Sequence, residues 1–129
     1  MFSNYELILE SVAQASKGLV LEFGVGTGNL TEKLLERSLD VIGIEPSSAM
    51  RHLAQTKIAN LLIMDGDFLS YNLPVNQVDT IVSTYAFHHL TDQEKHQAIR
   101  QYKNILSSDG SIVFADTIFL STKHKYDFI

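Results

Sequence analysis

The chain of 129 residues contains no cysteine. That absence removes disulfide scaffolds, thiol nucleophiles, redox dithiols and cysteine-built zinc sites, and it fits a reducing, cytoplasmic setting. Basic residues are scarce as well: ten lysines and arginines stand against fifteen aspartates and glutamates, a net charge of −5 at pH 7. Scattered singly, they offer no footprint for a phosphate backbone, so nucleic acid is not an expected partner. The apolar runs are broken by Glu22, Asp40 or Asp65 and fall short of the roughly 20 residues that cross a bilayer, which excludes a membrane partner of that kind. The amino terminus, MFSNYELILE, lacks a basic segment followed by an apolar core, so it does not read as a signal peptide. No repeat, linker or low-complexity tract is visible, and residues 1–129 read as one domain.

What is present is a core of ordinary richness, 45% apolar, arranged in alternating periods. Segment 3–18 places Tyr5, Ile8, Leu9, Val12 and Ala15 on one helical face, with Ser3 and Glu6 spaced as a capping box. LVLEF (19–23) is too short and too continuous for a helix and reads as a buried strand. NLTEKLLER (29–37) is helical with Leu30, Leu34 and Leu35 inward. DVIGIE (40–45) is a second strand, Pro46 and Ser47 open a helix carrying Met50, Leu53, Ala54 and Ile58, and LLIMD (61–65) is a third strand. VDTIVS (78–83) is the fourth. A helix capped by Thr91 and Glu94 bears Ala98, Ile99, Tyr102, Ile105 and Leu106; SSDG (107–110) closes it, and SIVFAD (111–116) is the fifth strand. Strands alternating with helices predict an α/β, three-layer, Rossmann-like parallel sheet.

The most informative stretch is LEFGVGTGN, in which a buried strand runs through Gly24, Gly26 and Gly28 straight into a helix. Missing side chains let a ligand approach the backbone, and the first amides of the helix aim donors at it; the alternative is a tight turn that happens to be rich in glycine. Glu45 follows Gly24 by 21 positions, the place from which a carboxylate accepts from ribose hydroxyls, although a solvated strand end or a partner for Arg51 would look the same. The glycines are spaced GxGxG, and Asn29 stands where a dinucleotide site has its third glycine. That argues against a pyrophosphate, and so against a nicotinamide-dependent oxidoreductase. Asp67 and Phe68, after the third strand, suit the amine and ring of an adenine; Asp67 would equally serve as a turn-stabilising aspartate.

The segments LEFGVGTGN, GIEPS, DGDFL, VDTIVSTYAFHHL and SDGSIVFAD, in this order and spacing, resemble the successive motifs of class I S-adenosylmethionine-dependent methyltransferases. In detail they are similar to the small YrrT-like methyltransferases of Gram-positive bacteria. The resemblance implies S-adenosyl-L-methionine as cofactor and a small-molecule methyl acceptor as partner. It implies that Gly24, Gly26 and Gly28 lie under the methionine part of the cofactor, with Glu22 organising the loop and Asn29 also binding the cofactor. Glu45 would take the ribose hydroxyls, Asp67 and Phe68 would address the adenine, Ser83, Thr84 and Ala86 would line the sulfonium, and Pro46 and Met50 would also bind the cofactor. Asp79, by the same comparison, is structural.

Methyl transfer from a sulfonium is an in-line displacement that needs alignment first and a base only for reluctant acceptors. His88 and His89 lead as candidate bases, followed by Tyr85 and Asp116; capping or packing is the plainer role for the histidine pair. No metal is expected, since adjacent histidines on an extended segment diverge and HExxH is absent.

The family's sheet has seven strands ending in a hairpin. Five are counted here, in order 3-2-1-4-5, so the expectation is a domain lacking the final two strands and incomplete at both ends. Strand five would then present an unpaired edge, a surface for homo-oligomers. A non-catalytic nucleoside-binding domain is the alternative that such a chain leaves open.

Overall fold

The structure, a computed structural model, describes residues 3–84, 87–115 and 120–128. Helix α1 (Asn4–Ala15) leads into β1 (Leu19–Phe23), α2 (Asn29–Glu36), β2 (Asp40–Ile44), α3 (Ser48–Lys57), β3 (Leu62–Met64), β4 (Val78–Thr84), α4 (Asp92–Ile105), β5 (Leu106–Ala115) and β6 (Leu120–His124). Single-turn 3-10 segments follow β4 at Phe87–His89 and β6 at Lys125–Phe128.

Side-chain oxygens start α1, α3 and α4, whereas α2 begins at Gly28 without one, and the box expected of Ser3 and Glu6 shows only its Ser3 half. The Ser3 hydroxyl accepts from the Glu6 amide and the Ser47 hydroxyl from the Met50 amide. Thr91 and Glu94 form a reciprocal capping box, worth about 1 kcal/mol of helix stability.

The strands form one sheet in the order β3-β2-β1-β4-β5-β6. The first five are mutually parallel, and β6 runs antiparallel on β5, pairing Ser111 with His124 through Ala115 with Leu120. The expectation of five parallel strands ending at β5 is therefore corrected: the sheet is mixed, and the edge of β5 on which association was to rest is occupied by β6. The sequence concealed this strand because an antiparallel edge is half solvated. Thr122, Lys123 and His124 are exposed, so the segment has no apolar run.

A second correction concerns 107–110. These residues do not close α4; they belong to β5, which begins at Leu106 and pairs with Val78 before a register shift.

Two cores sandwich the sheet. On one face Leu9, Val12, Leu30 and Leu34 of α1 and α2 pack on Val20, Val41, Val82 and Val113. On the other, Ala98 and Tyr102 of α4 cover Leu21, Phe23, Ile42, Ile44, Ile81 and Ile112. Helix α3 contributes a smaller cluster through Ala54 with Val25, Leu61 and Ile63. Its predicted stripe is corrected too: Met50 and Leu53 are exposed, as is Leu35 of α2, because one small residue, Ala54, suffices where the helix touches the sheet. Among the described residues no helix is long and apolar enough to cross a membrane.

At the amino ends of the strands Asp79 has the structural role expected of it. Its carboxylate accepts from the Leu19 amide at 2.9 Å. Gly18 lies so close that a Cβ there would overlap the Asp79 carboxylate.

Candidate functional site

The sheet reverses its strand order between β1 and β4, and at such a switch the carboxyl ends of parallel strands open a crevice. The loop leaving β1 bends through Gly24, Gly26 and Gly28, all with positive φ. Side chains resist that region, and glycine enters it freely. The roles of the glycines differ. A Cβ on Gly28 would stand 2.9 Å from Ile58 Cδ1, so this glycine lets α2 approach α3. A Cβ on Gly26 would meet no atom within 4 Å. The space above Gly26 is open, and a ligand can reach its backbone.

A cavity of about 260 Å³ lies there, lined by Tyr5, Gly24, Val25, Gly26, Thr27, Asn29, Leu30, Met50 and Thr84. Five predicted residues, Gly24, Gly26, Asn29, Met50 and Thr84, are thus brought together. Tyr5, Val25, Thr27 and Leu30 were missed. Helical periodicity puts Tyr5 on the core face of α1, yet it is 42% exposed and lines the cavity. Its phenol oxygen accepts from Asn29 Nδ2 at 3.1 Å, and Lys57 Nζ donates to Asn29 Oδ1 at 2.6 Å.

Two acids support the loop from below. Glu45 ends β2, buried, and its carboxylate accepts from the Gly26 amide at 2.7 Å and from the Ser47 amide at 2.9 Å. It is neither solvated nor paired with Arg51 through its side chain: Arg51 instead donates to the Glu45 carbonyl oxygen and to Asp65. Glu22, on the adjacent strand, is 1% exposed and accepts from the Thr31 hydroxyl at 2.5 Å. Burial pushes its carboxyl up to about 8; the Thr31 hydrogen bond opposes the rise and the Glu45 charge adds to it.

The turn after β3 carries Asp67 and Phe68. One Asp67 oxygen, Oδ1, accepts from the Leu69 and Ser70 amides, each at 2.9 Å, which is the turn-stabilising geometry. The other oxygen, Oδ2, lies on an exposed residue at the surface. Phe68 is packed against Phe23 and Phe87, with ring centroids 5.3 Å apart in both pairs, and Tyr102 donates to its carbonyl at 2.8 Å. Neither residue lines the cavity of the glycine loop; nor does Pro46, which is exposed.

At the end of β4, Ser83 sits in register between Phe23 and Phe114, and its buried hydroxyl has no hydrogen-bond partner among the described residues. Phe68 and Phe87 continue the ring contacts from Phe23 to Phe114, the last pair at 4.2 Å. His89 is exposed on the 3-10 turn that follows. Tyr85, Ala86, Asp116 and the His88 side chain lie outside the described residues. No group of three metal-ligating side chains occurs among the described residues.

Residues 20–110 match the methyltransferase domain family. The chain is 58% identical over 121 residues to an uncharacterized methyltransferase of Anoxybacillus flavithermus, covering 94% of this chain and 57% of that protein. It is 59% identical over 128 residues to one from Bacillus thuringiensis, covering 98% and 59%. The chain thus spans less than two thirds of the length of these relatives. Among solved structures, the CcbJ methyltransferase of Streptomyces caelestis superposes with a TM-score of 0.73 at 25% identity, over 84% of this chain and 50% of that one. The glycopeptide N-methyltransferase MtfA complexed with S-adenosyl-L-homocysteine shares the fold, with a TM-score of 0.74 at 18% identity over 84% and 47%. With a family match over most of its length and relatives above half identity, the chain belongs to the methyltransferase domain family.

Proposed function

We propose that this domain binds S-adenosylmethionine and forms the cofactor-binding part of a methyltransferase that acts on a small molecule. The observation that carries the reading is the open backbone at Gly26, with Glu45 fixing the loop amide at the floor of a cavity lined by Gly24, Asn29, Met50 and Thr84. The fit is supported chemically. Each carboxylate oxygen of Glu45 holds one amide and has a second lone pair for a ribose hydroxyl. Asp67 Oδ2 suits an adenine amine while Oδ1 holds the turn. MtfA, of the same fold, is complexed with S-adenosyl-L-homocysteine.

When bound, the cofactor supplies an electrophilic methyl group on a sulfonium. The chain supplies position: the glycine loop and Thr84 fix the donor end, and Glu45 fixes the sugar. His89, exposed just beyond β4, is the described candidate to take a proton from an acceptor that needs it; His88, Tyr85 and Asp116 are the others proposed. Titration calorimetry with S-adenosylmethionine and S-adenosylhomocysteine tests the reading. One-to-one binding of both is expected, with S-adenosylhomocysteine released when a small-molecule acceptor is included. A folded protein that gives no heat with either overturns it.

A further inference from the structure

The turn that carries Asp67 and Phe68 is closed upon itself. The Asp67 amide donates to the Ser70 carbonyl at 2.9 Å, Asp67 Oδ1 accepts from the Leu69 and Ser70 amides, and Gly66 bridges Tyr71. Braced from within, the turn takes its place from whatever ties it to the rest of the chain. Two ties come from successive residues of α4: the Tyr102 phenol donates to the Phe68 carbonyl at 2.8 Å, and Gln101 Nε2 donates to the Leu69 carbonyl at 3.4 Å. Packing alone does not account for the phenol. Tyr102 is fully buried and its ring lies 5.3 Å from that of Phe23, so a phenylalanine would fill the same position on α4 without the cost of burying a polar atom. The Phe23 ring also receives two rings of the turn, Phe68 at 5.3 Å and Tyr71 at 5.2 Å. Phe23 ends β1 and is followed at once by Gly24. Across this one ring, Tyr102 joins the turn after β3 to the residue from which the glycine loop departs.

We propose that Tyr102 is a positioning residue that sets the Asp67 turn against the glycine loop and thereby gives the site its preference for a purine bearing an amine at C6. It does not line the cavity. It acts through the main chain of Phe68 on the neighbouring Asp67, whose Oδ2 takes the amine of the base. The inference rests on the S-adenosylmethionine reading, whose base is the purine in question.

Competition calorimetry with S-adenosylhomocysteine and S-inosylhomocysteine, which carry an amine and an oxygen respectively at purine C6, tests it. The wild type is expected to favour the first. Tyr102→Phe keeps the ring on Phe23 and removes only the donor; it should weaken S-adenosylhomocysteine about fivefold, the size of one net hydrogen bond, and leave S-inosylhomocysteine within about twofold. A residue that only holds the fold together would weaken both alike. Gln101→Ala removes the longer bond from a partly exposed position and should lower the preference in the same sense by less, which keeps the test open should Tyr102→Phe fail to fold. A wild type without preference, or variants that keep the wild-type ratio or weaken both ligands alike, overturn this inference while the cofactor reading stands. A wild type that binds neither thioether overturns both.

Discussion

Two ends of the same sheet border the cavity and are built on opposite terms. At the carboxyl ends of β1 and β2, polar groups close on one another through the main chain. Glu45 holds Gly26 and Ser47, and Glu22 holds Thr31. At the carboxyl end of β4, Ser83 keeps a buried hydroxyl without a described partner, flanked by Phe23 and Phe114, with Phe68 and Phe87 completing the run of ring contacts. The first end is polar, and its acids are tied to the glycine loop and to α2. The second is aromatic, and the Ser83 hydroxyl within it lacks a hydrogen-bond partner among the described residues. Loop amides fix geometry, since each is tied to the sheet; ring contacts fix only shape.

Breaking the polar end should cost most. Glu45→Ala removes both amide acceptors, and we expect a loss of about 3 kcal/mol in urea unfolding together with the S-adenosylhomocysteine heat; retention of both would mean that the loop holds itself. Glu22 gives the next largest effect, and its sign is opposite to that of a salt-bridged acid. Its folded value, about 8, lies above the unfolded 4.5, so its contribution is fully present below the unfolded value and is lost as pH rises through the folded one. Stability should fall by on the order of 2 kcal/mol from pH 5 to pH 7, and Glu22→Gln should flatten that slope in denaturation at several pH values.

Gly26→Ala sharpens the contrast between support and ligand contact. With nothing near its Cβ in the free protein, it should cost only about 1 kcal/mol for its positive φ, yet abolish calorimetric binding. At the aromatic end the smallest change should have the reverse sign. Ser83→Ala removes a hydroxyl with no partner among the described residues and should raise stability by up to about 1 kcal/mol in thermal unfolding. A loss of stability there would show that the hydroxyl is satisfied in solution.

Much of this was legible beforehand because parallel strands are buried on both faces and write themselves as apolar runs. β1 is Leu19–Phe23 in sequence and in structure, and β4 differs by one residue. The glycines of the loop were equally visible, since a backbone of positive φ demands that residue type, and Glu45 stood out by its spacing from Gly24. What escaped depends on half-buried surfaces. β6 shows no run because Thr122 to His124 face water. Tyr5 shares the period of the core positions, and periodicity alone does not tell a core residue from one that lines the cavity. Asp67 carried two readings, and the structure shows the turn-stabilising one, with Oδ1 accepting from the Leu69 and Ser70 amides.

The bond from Tyr102 to the Phe68 carbonyl has a practical side. The chain contains no tryptophan, so its ultraviolet emission belongs to tyrosine. Tyr102 is fully buried, its ring stacked 5.3 Å from Phe23, and burial pushes its phenol far up so that it stays a donor at any working pH. A ligand that shifts the turn at Asp67 and Phe68 pulls directly on this hydrogen bond. Any shift of that turn is thereby readable through Tyr102 in near-ultraviolet dichroism without a label.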